Sequence, residues 1–127
     1  MKIALAQLNY HIGNFKENTT KIINQIEDAK KDGVDLVIFS ELSVCGYPPQ
    51  DLLEKKSFIE QCEVAVEEIK EICKDIAVII GSPTLNYHQK GKQLYNSAIF
   101  IAEGAIQYIQ NKTLLPTYDI FDEYRYF

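Results

Sequence analysis

The sequence predicts an α/β fold built on a mixed sheet, and three observations carry that prediction. Short apolar runs at positions 3–8, 34–40 and 76–80, the second of them with marked β-branched content, alternate with two segments whose apolar residues recur at helical spacing. Strand, helix and strand in that order give parallel neighbours joined by a right-handed crossover. A two-residue turn, Glu103-Gly104, then links two further apolar runs as a hairpin, which adds antiparallel strands to the sheet.

Residues 3–8 read as the first strand, and the polar stretch 9–14, with Gly13, as a loop. Asn14 or Asn18 caps a helix running to about Lys31, with Ile22, Ile23 and Ile26 as its apolar stripe. Asp32-Gly33 ends it, because glycine accepts the left-handed backbone that closes many helices. Residues 34–40 form the second strand and deliver Glu41 to its C-terminal tip. The prolines of Gly46-Tyr47-Pro48-Pro49 remove backbone donors and fix φ, so a rigid turn follows. Asp51 caps a short turn through Leu52-Leu53. Over 58–73 the spacing of Ile59, Cys62, Val66, Ile69 and Cys73 predicts a second helix. Residues 76–80 are the third strand, closed by Gly81-Ser82-Pro83. After a polar loop at 86–92, residues 94–102 and 105–109 form the hairpin. From Asn111 onward the chain reads as irregular and is crowded with Tyr118, Phe121, Tyr124, Tyr126 and Phe127. No internal repeat, linker or low-complexity segment interrupts it.

A chain of 127 residues is long enough for one domain with a real core. Its 46% hydrophobic and 24% charged residues are those of an ordinary soluble globular protein. A formal charge of −5 argues against nucleic acid as a partner, which calls for a basic face. No run reaches the roughly 18 apolar residues of a membrane span, and the N-terminus has no cleavage-site pattern. Cys45, Cys62 and Cys73 match no zinc spacing, and His11 and His88 sit in polar loops, so no metal site is expected. Unpaired thiols suit the cytoplasm. Cys45 reads as a small buried filler, and Cys62 and Cys73 as core of the second helix.

Two ionisable residues stand out by position. Ligands and catalytic groups of α/β sheets gather at the C-terminal tips of strands, where Glu41 lies. Lys112 follows the last strand of the hairpin. A carboxylate and an ammonium beside a thiol suit acyl transfer: the glutamate as general base, the lysine stabilising the tetrahedral intermediate and helping to protonate the leaving amine. Asn96 has two readings, orienting that site by hydrogen bonds or fixing the start of the hairpin. Gly13 and Gly33 form no glycine-rich dinucleotide fingerprint after the first strand.

Three blocks bring these residues together in a known pattern. They are Ile3-Ala4-Leu5-Ala6-Gln7-Leu8 with Gly13-Asn14; Phe39-Ser40-Glu41-Leu42 with Gly46-Tyr47-Pro48-Pro49-Gln50-Asp51-Leu52-Leu53; and Tyr95-Asn96-Ser97-Ala98 with Lys112-Thr113-Leu114-Leu115-Pro116. In order and spacing the chain resembles the nitrilase (carbon–nitrogen hydrolase) superfamily, and within it the N-terminal glutaminase domain of glutamine-dependent NAD synthetases. The resemblance runs from Met1 to Phe127. It implies one half of a four-layer αββα sandwich, with both helices on one face of the mixed sheet. It places the general base on Glu41 and the family's lysine on Lys112. Tyr47 and Tyr118 fall on tyrosines of the glutamine pocket, Phe121 on its aromatic wall, and Glu123 on a second carboxylate that holds the lysine. No cofactor is implied for this domain. ATP and deamido-NAD would be substrates of the synthetase domain, of which nothing is present here.

One departure matters. The family's nucleophilic cysteine lies downstream of the lysine, and none of the 15 residues after Lys112 is cysteine. The nucleophile is therefore expected beyond Phe127. Half a sandwich leaves an apolar face and an open strand edge. The expectation is a piece of a longer chain, inactive by itself, whose partners are glutamine, the rest of the parent protein with its synthetase domain, and further copies in a homo-oligomer. Two rival readings stand beside it: a non-catalytic interaction module, and another amidase of the superfamily acting on a small linear amide.

Overall fold

In chain order the elements are β1 (Ile3–Ala6), α1 (Phe15–Lys31), β2 (Leu36–Phe39), a 3-10 turn (Gln50–Glu54), α2 (Lys56–Ile72), β3 (Ala77–Leu85), β4 (Leu94–Ala102), β5 (Ala105–Asn111) and a second 3-10 turn (Glu123–Arg125). They come from a computed structural model that describes residues 1–88 and 90–127. The strands lie in the sheet in the order they occur in the chain. β1, β2 and β3 are parallel, as the two helical crossovers require, and β4 and β5 add antiparallel strands.

Asn14, not Asn18, caps α1: its side chain accepts the Glu17 N–H at 3.2 Å. Asn18 is instead fully buried. Ile22, Ile26 and Ala29 of α1 and Ala65, Val66 and Ile69 of α2 pack on one face of the sheet. Strand alternation fixes which residues meet them. Ala4, Val37, Val78 and Ile101 stand side by side across four strands on the helix side. Val37, Val78 and Ile101 have no exposed surface; each such burial stabilises the fold by roughly 1.5–3 kcal/mol. On the opposite face, Leu5, Ile38, Ile79, Phe100 and Tyr108 form the adjoining row. Leu5 is 71% exposed and Tyr108 62%. The core is thus one-sided, as half of a sandwich should be.

β3 continues through Gly81-Ser82-Pro83 to Leu85, where the sequence suggested it would stop. The reason lies in its neighbours. The pairing of β2 with β3 ends at Ile38 and Ile79, while β4 accompanies β3 up to Leu85. Beyond Ile79 one side of β3 has no strand to receive an N–H, so Pro83 sits at a local sheet edge. β5 likewise runs to Asn111, two residues further than expected, and its last residues pair with Ala98 and Ser97. The tail is not wholly irregular, since it forms a 3-10 turn at Glu123–Arg125 with Glu123 buried, and Phe127 joins an apolar cluster. No helix among the described residues is long and apolar enough to cross a membrane. Nor does any group of three or more His, Cys, Asp or Glu among them have the arrangement of a metal site.

Candidate active site

The segment after β2 is a tight turn moulded onto β3. The Val44 N–H donates to the Gly81 carbonyl at 3.1 Å, and the Gly81 N–H donates to Ser43 Oγ at 3.2 Å. Asn18 fastens it from the helix side, donating through Nδ2 to the carbonyls of His11 (2.8 Å) and Val44 (3.3 Å). Leu42, at φ 49°, drives its side chain into a second apolar cluster with Cys45, Leu53, Phe58, Ile59 and Cys62. The approach to β3 leaves no room for a side chain at Gly81. A Cβ there would lie 2.8 Å from the Ser40 carbonyl oxygen and 2.9 Å from the Glu41 carbonyl carbon. Glu41 is therefore held by backbone contacts, with its carboxylate projecting over the end of the sheet.

Lys112 comes to the same point from β5. Its backbone N–H donates to the Asn96 carbonyl at 2.8 Å, which carries the ladder one residue past the strand. Its ammonium donates to Glu41 Oε1 at 2.7 Å and to both oxygens of Glu123, at 2.9 and 3.2 Å. Glu123 is buried, its side chain only 7% exposed, and it also accepts a hydrogen bond from the Tyr47 hydroxyl at 3.2 Å. Asn96, 3% exposed, donates to Glu41 Oε1 at 2.6 Å. Its side chain thus meets Glu41 and its backbone meets Lys112. Phe121 lies 6.5 Å from the Tyr47 ring and 5.7 Å from the Tyr118 ring. Tyr47, Phe121 and Tyr118 thus form an aromatic series leading outward from the charged cluster, and Tyr118 at its end is 70% exposed.

A cavity of about 370 Å³ on the bare face of the sheet opens onto Glu41 and Lys112, with Ile38, Ile79, Ala98 and Asn96 in its walls. A second, of about 210 Å³, lies against Tyr47, Phe121 and Glu123 and is bounded by Pro48 and Asp51. The electrostatics favour a charged lysine. Burial alone would pull the Lys112 pKa down, but hydrogen bonds to Glu41 and Glu123 outweigh it, and the net shift is upward from the ordinary 10.5. Burial, and then the negative charge of Glu123, push the Tyr47 hydroxyl up to about 12, so it stays a donor at neutral pH.

The raised lysine pKa has a signed consequence. A group whose folded pKa exceeds its unfolded one adds stability fully below the unfolded value and loses it as pH rises through the folded value. Urea midpoints should accordingly be insensitive to this ion cluster from neutral pH to about 9. They should then decline above the ordinary lysine range, and a Lys112→Met variant should lack that component of the decline.

The chain's thiols are placed otherwise. Cys45, Cys62 and Cys73 are all free and without exposed surface. Contact with Cys62, and then burial, push the Cys45 thiol pKa far up. Burial raises Cys73 to about 11. None of the three lines the cavity that opens onto Glu41 and Lys112.

This constellation can be set beside known proteins. The carbon–nitrogen hydrolase family model matches residues 2–126. The chain belongs to the carbon–nitrogen hydrolase family. It is 46% identical over 129 residues to the glutamine-dependent NAD(+) synthetase of Synechocystis sp., covering 98% of this chain and 23% of that protein. With the synthetase of Acinetobacter baylyi it shares 42% over 126 residues, covering 99% and 23%. The solved structure of the Acinetobacter baumannii synthetase, in complex with ADP, superposes with a TM-score of 0.90 at 42% identity, covering 98% of this chain and 23% of that one. An amidase from Nesterenkonia sp., at 24% identity and a TM-score of 0.78, shows the shared fold over 91% of this chain and 44% of its own. This carbon–nitrogen hydrolase chain thus spans about 23% of the length of the synthetases it matches.

All six residues singled out from the sequence lie in one region: Glu41, Lys112, Glu123 and Tyr47 in direct contact, with Phe121 and Tyr118 beyond. The parts played by Asn18, Ser43 and Gly81 were not legible before the fold was assembled. The Asn18–Val44 and Ser43–Gly81 contacts join residues far apart in the chain, and such contacts leave no residue pattern.

Proposed function

We propose that this chain supplies the general base and the charge-stabilising lysine of a glutamine-hydrolysing site whose ammonia is used to make NAD. The observation that carries the reading is the 2.7 Å contact between Glu41 and Lys112, 71 residues apart, with Glu123 buried behind the lysine. In the proposed reaction a thiol attacks the side-chain amide carbon of glutamine, and Glu41 accepts its proton. Lys112, held as an ammonium, stabilises the developing oxyanion. The C–N bond breaks and ammonia leaves with the proton returned by Glu41. Water, activated by the same carboxylate, then cleaves the thioester to glutamate and restores the thiol. The sum is glutamine and water to glutamate and ammonia.

The thiol is not one of the three buried cysteines, so the 127 residues by themselves are proposed to be inactive towards glutamine. The aromatic series Tyr47, Phe121 and Tyr118 supports the pocket reading, because an uncharged amide side chain packs well between rings while its polar end meets the charged cluster. ATP and deamido-NAD belong, on this reading, to a synthetase domain elsewhere in the parent protein. The burial of all three thiols also suits a non-catalytic module. In the parent protein, Glu41→Gln should lower glutamine-dependent ammonia release by about 10²- to 10⁴-fold. Unchanged release would overturn the assignment, and stronger competition by a small linear amide than by glutamine would move it to another amidase.

A further inference from the structure

The proposed base has two oxygens, and they are not equivalent. Oε1 of Glu41 accepts from Asn96 Nδ2 at 2.6 Å and from Lys112 Nζ at 2.7 Å. A carboxylate oxygen offers about two lone-pair sites, so Oε1 is filled. Among the described residues Oε2 receives no hydrogen bond, and Glu41 is the most open of the three charged groups, its side chain 44% exposed against 31% for Lys112 and 7% for Glu123. We propose that Asn96 is a positioning residue which, with Lys112, occupies Oε1 and leaves Oε2 as the oxygen that takes the proton. The inference rests on the glutaminase reading given above and deepens it.

Asn96 suits that task for three reasons. It stands within β4, opposite Pro83 of β3, so a paired strand rather than a loop sets its place. Its side chain is short and nearly without exposed surface, which limits its rotamers. A carboxylate only accepts, so the amide nitrogen must be the end that faces Glu41. The residue also receives the Lys112 N–H on its own carbonyl. One residue therefore fixes the spacing between carboxylate and ammonium: side chain to the first, backbone to the second. Substitution leaves the backbone contact in place, and the experiment reads the side chain alone.

The test measures kcat and KM for glutamine in the parent protein that carries this chain. Asn96→Ala should lower kcat by about 10- to 100-fold, the range for losing a hydrogen bond to a charged or ligating group, while KM moves less than about threefold. Asn96→Asp keeps the shape but turns an acceptor towards Glu41, and should fall further. Asn96→Ser retains a hydroxyl donor and should recover part of the loss. A purely structural role would lower the folded fraction without this ranking or this split. Should Asn96→Ala not fold, the isosteric Asn96→Asp decides. A kcat within about twofold of the unsubstituted protein in either variant would overturn the proposal. Glu41→Gln, run alongside, separates the two claims. Full activity there sinks the glutaminase reading, whereas an inactive Glu41→Gln beside an active Asn96→Ala sinks the positioning role alone.

Discussion

Lys112→Met is expected to destabilise the chain by about 3 kcal/mol and to abolish glutamine hydrolysis in the parent protein. The stability loss comes from Glu123. Its carboxylate is nearly without exposed surface, and two of its three side-chain hydrogen bonds come from the lysine ammonium. Removing one partner of a buried pair leaves an uncompensated charge, at a cost of about 3–5 kcal/mol. The lysine side chain is 31% exposed, which lets water reach part of the gap and argues for the lower end of that range. Glu41 adds little, because its side chain is nearly half exposed and water can replace the ammonium there. A second substitution, Glu123→Gln, should therefore recover about half of the loss without restoring activity. Urea unfolding of the single and double variants checks both statements. A single-variant cost below about 1 kcal/mol would mean that Glu123 is not held by Lys112.

Gly81→Ala should cost about 3 kcal/mol of stability and lower activity by about 100-fold. The added methyl meets backbone atoms of Ser40 and Glu41, which cannot rotate aside as a side chain would. Either β3 or the Glu41 turn must shift, and the turn, tied by the Val44 and Ser43 hydrogen bonds, takes Glu41 with it. Gly33→Ala is the control. That position has φ 65° but open space around its Cβ, so the expected cost is the left-handed backbone alone, about 1 kcal/mol, with the site undisturbed. Amide chemical shifts should move at 40–46 and 81 in the first variant and stay near residue 33 in the second. Equal activity in both would show that the contact at Gly81 does not position Glu41.

Much of this fold was legible because each element satisfies a local rule. The helical spacing of Ile22 and Ile26, the apolar run ending at Phe39, and the Glu103-Gly104 turn each mark an element without reference to the rest. β3 was harder. Gly81-Ser82-Pro83 reads as a stop, yet at that height the sheet has a partner on one side only, and proline costs nothing there. Glu41 was visible as a carboxylate at a strand tip. Lys112 stood out as the lysine that follows the hairpin, but its weight, like the choice of Glu123, came from the resemblance, since a lysine after a strand and a glutamate in a tail are ordinarily solvated. Their meeting depends on β4 and β5 carrying Lys112 across the sheet and on the Glu123–Arg125 turn folding back beneath it. Asn18 had the look of a helix cap and is a buried brace for the Glu41 turn. Side-chain bonds to distant backbone carbonyls have no periodicity, so only the assembled fold shows them.

Glu41 and Lys112 are proposed to serve a thiol that is not among Cys45, Cys62 and Cys73. The most direct measurement treats the parent protein with an electrophilic glutamine analogue and locates the modified residue by peptide mapping. A single labelled cysteine outside residues 1–127, protected by glutamine and lost in Glu41→Gln, is the expected result. Label on Cys45, Cys62 or Cys73, or no glutamine-protected label at all, would contradict it.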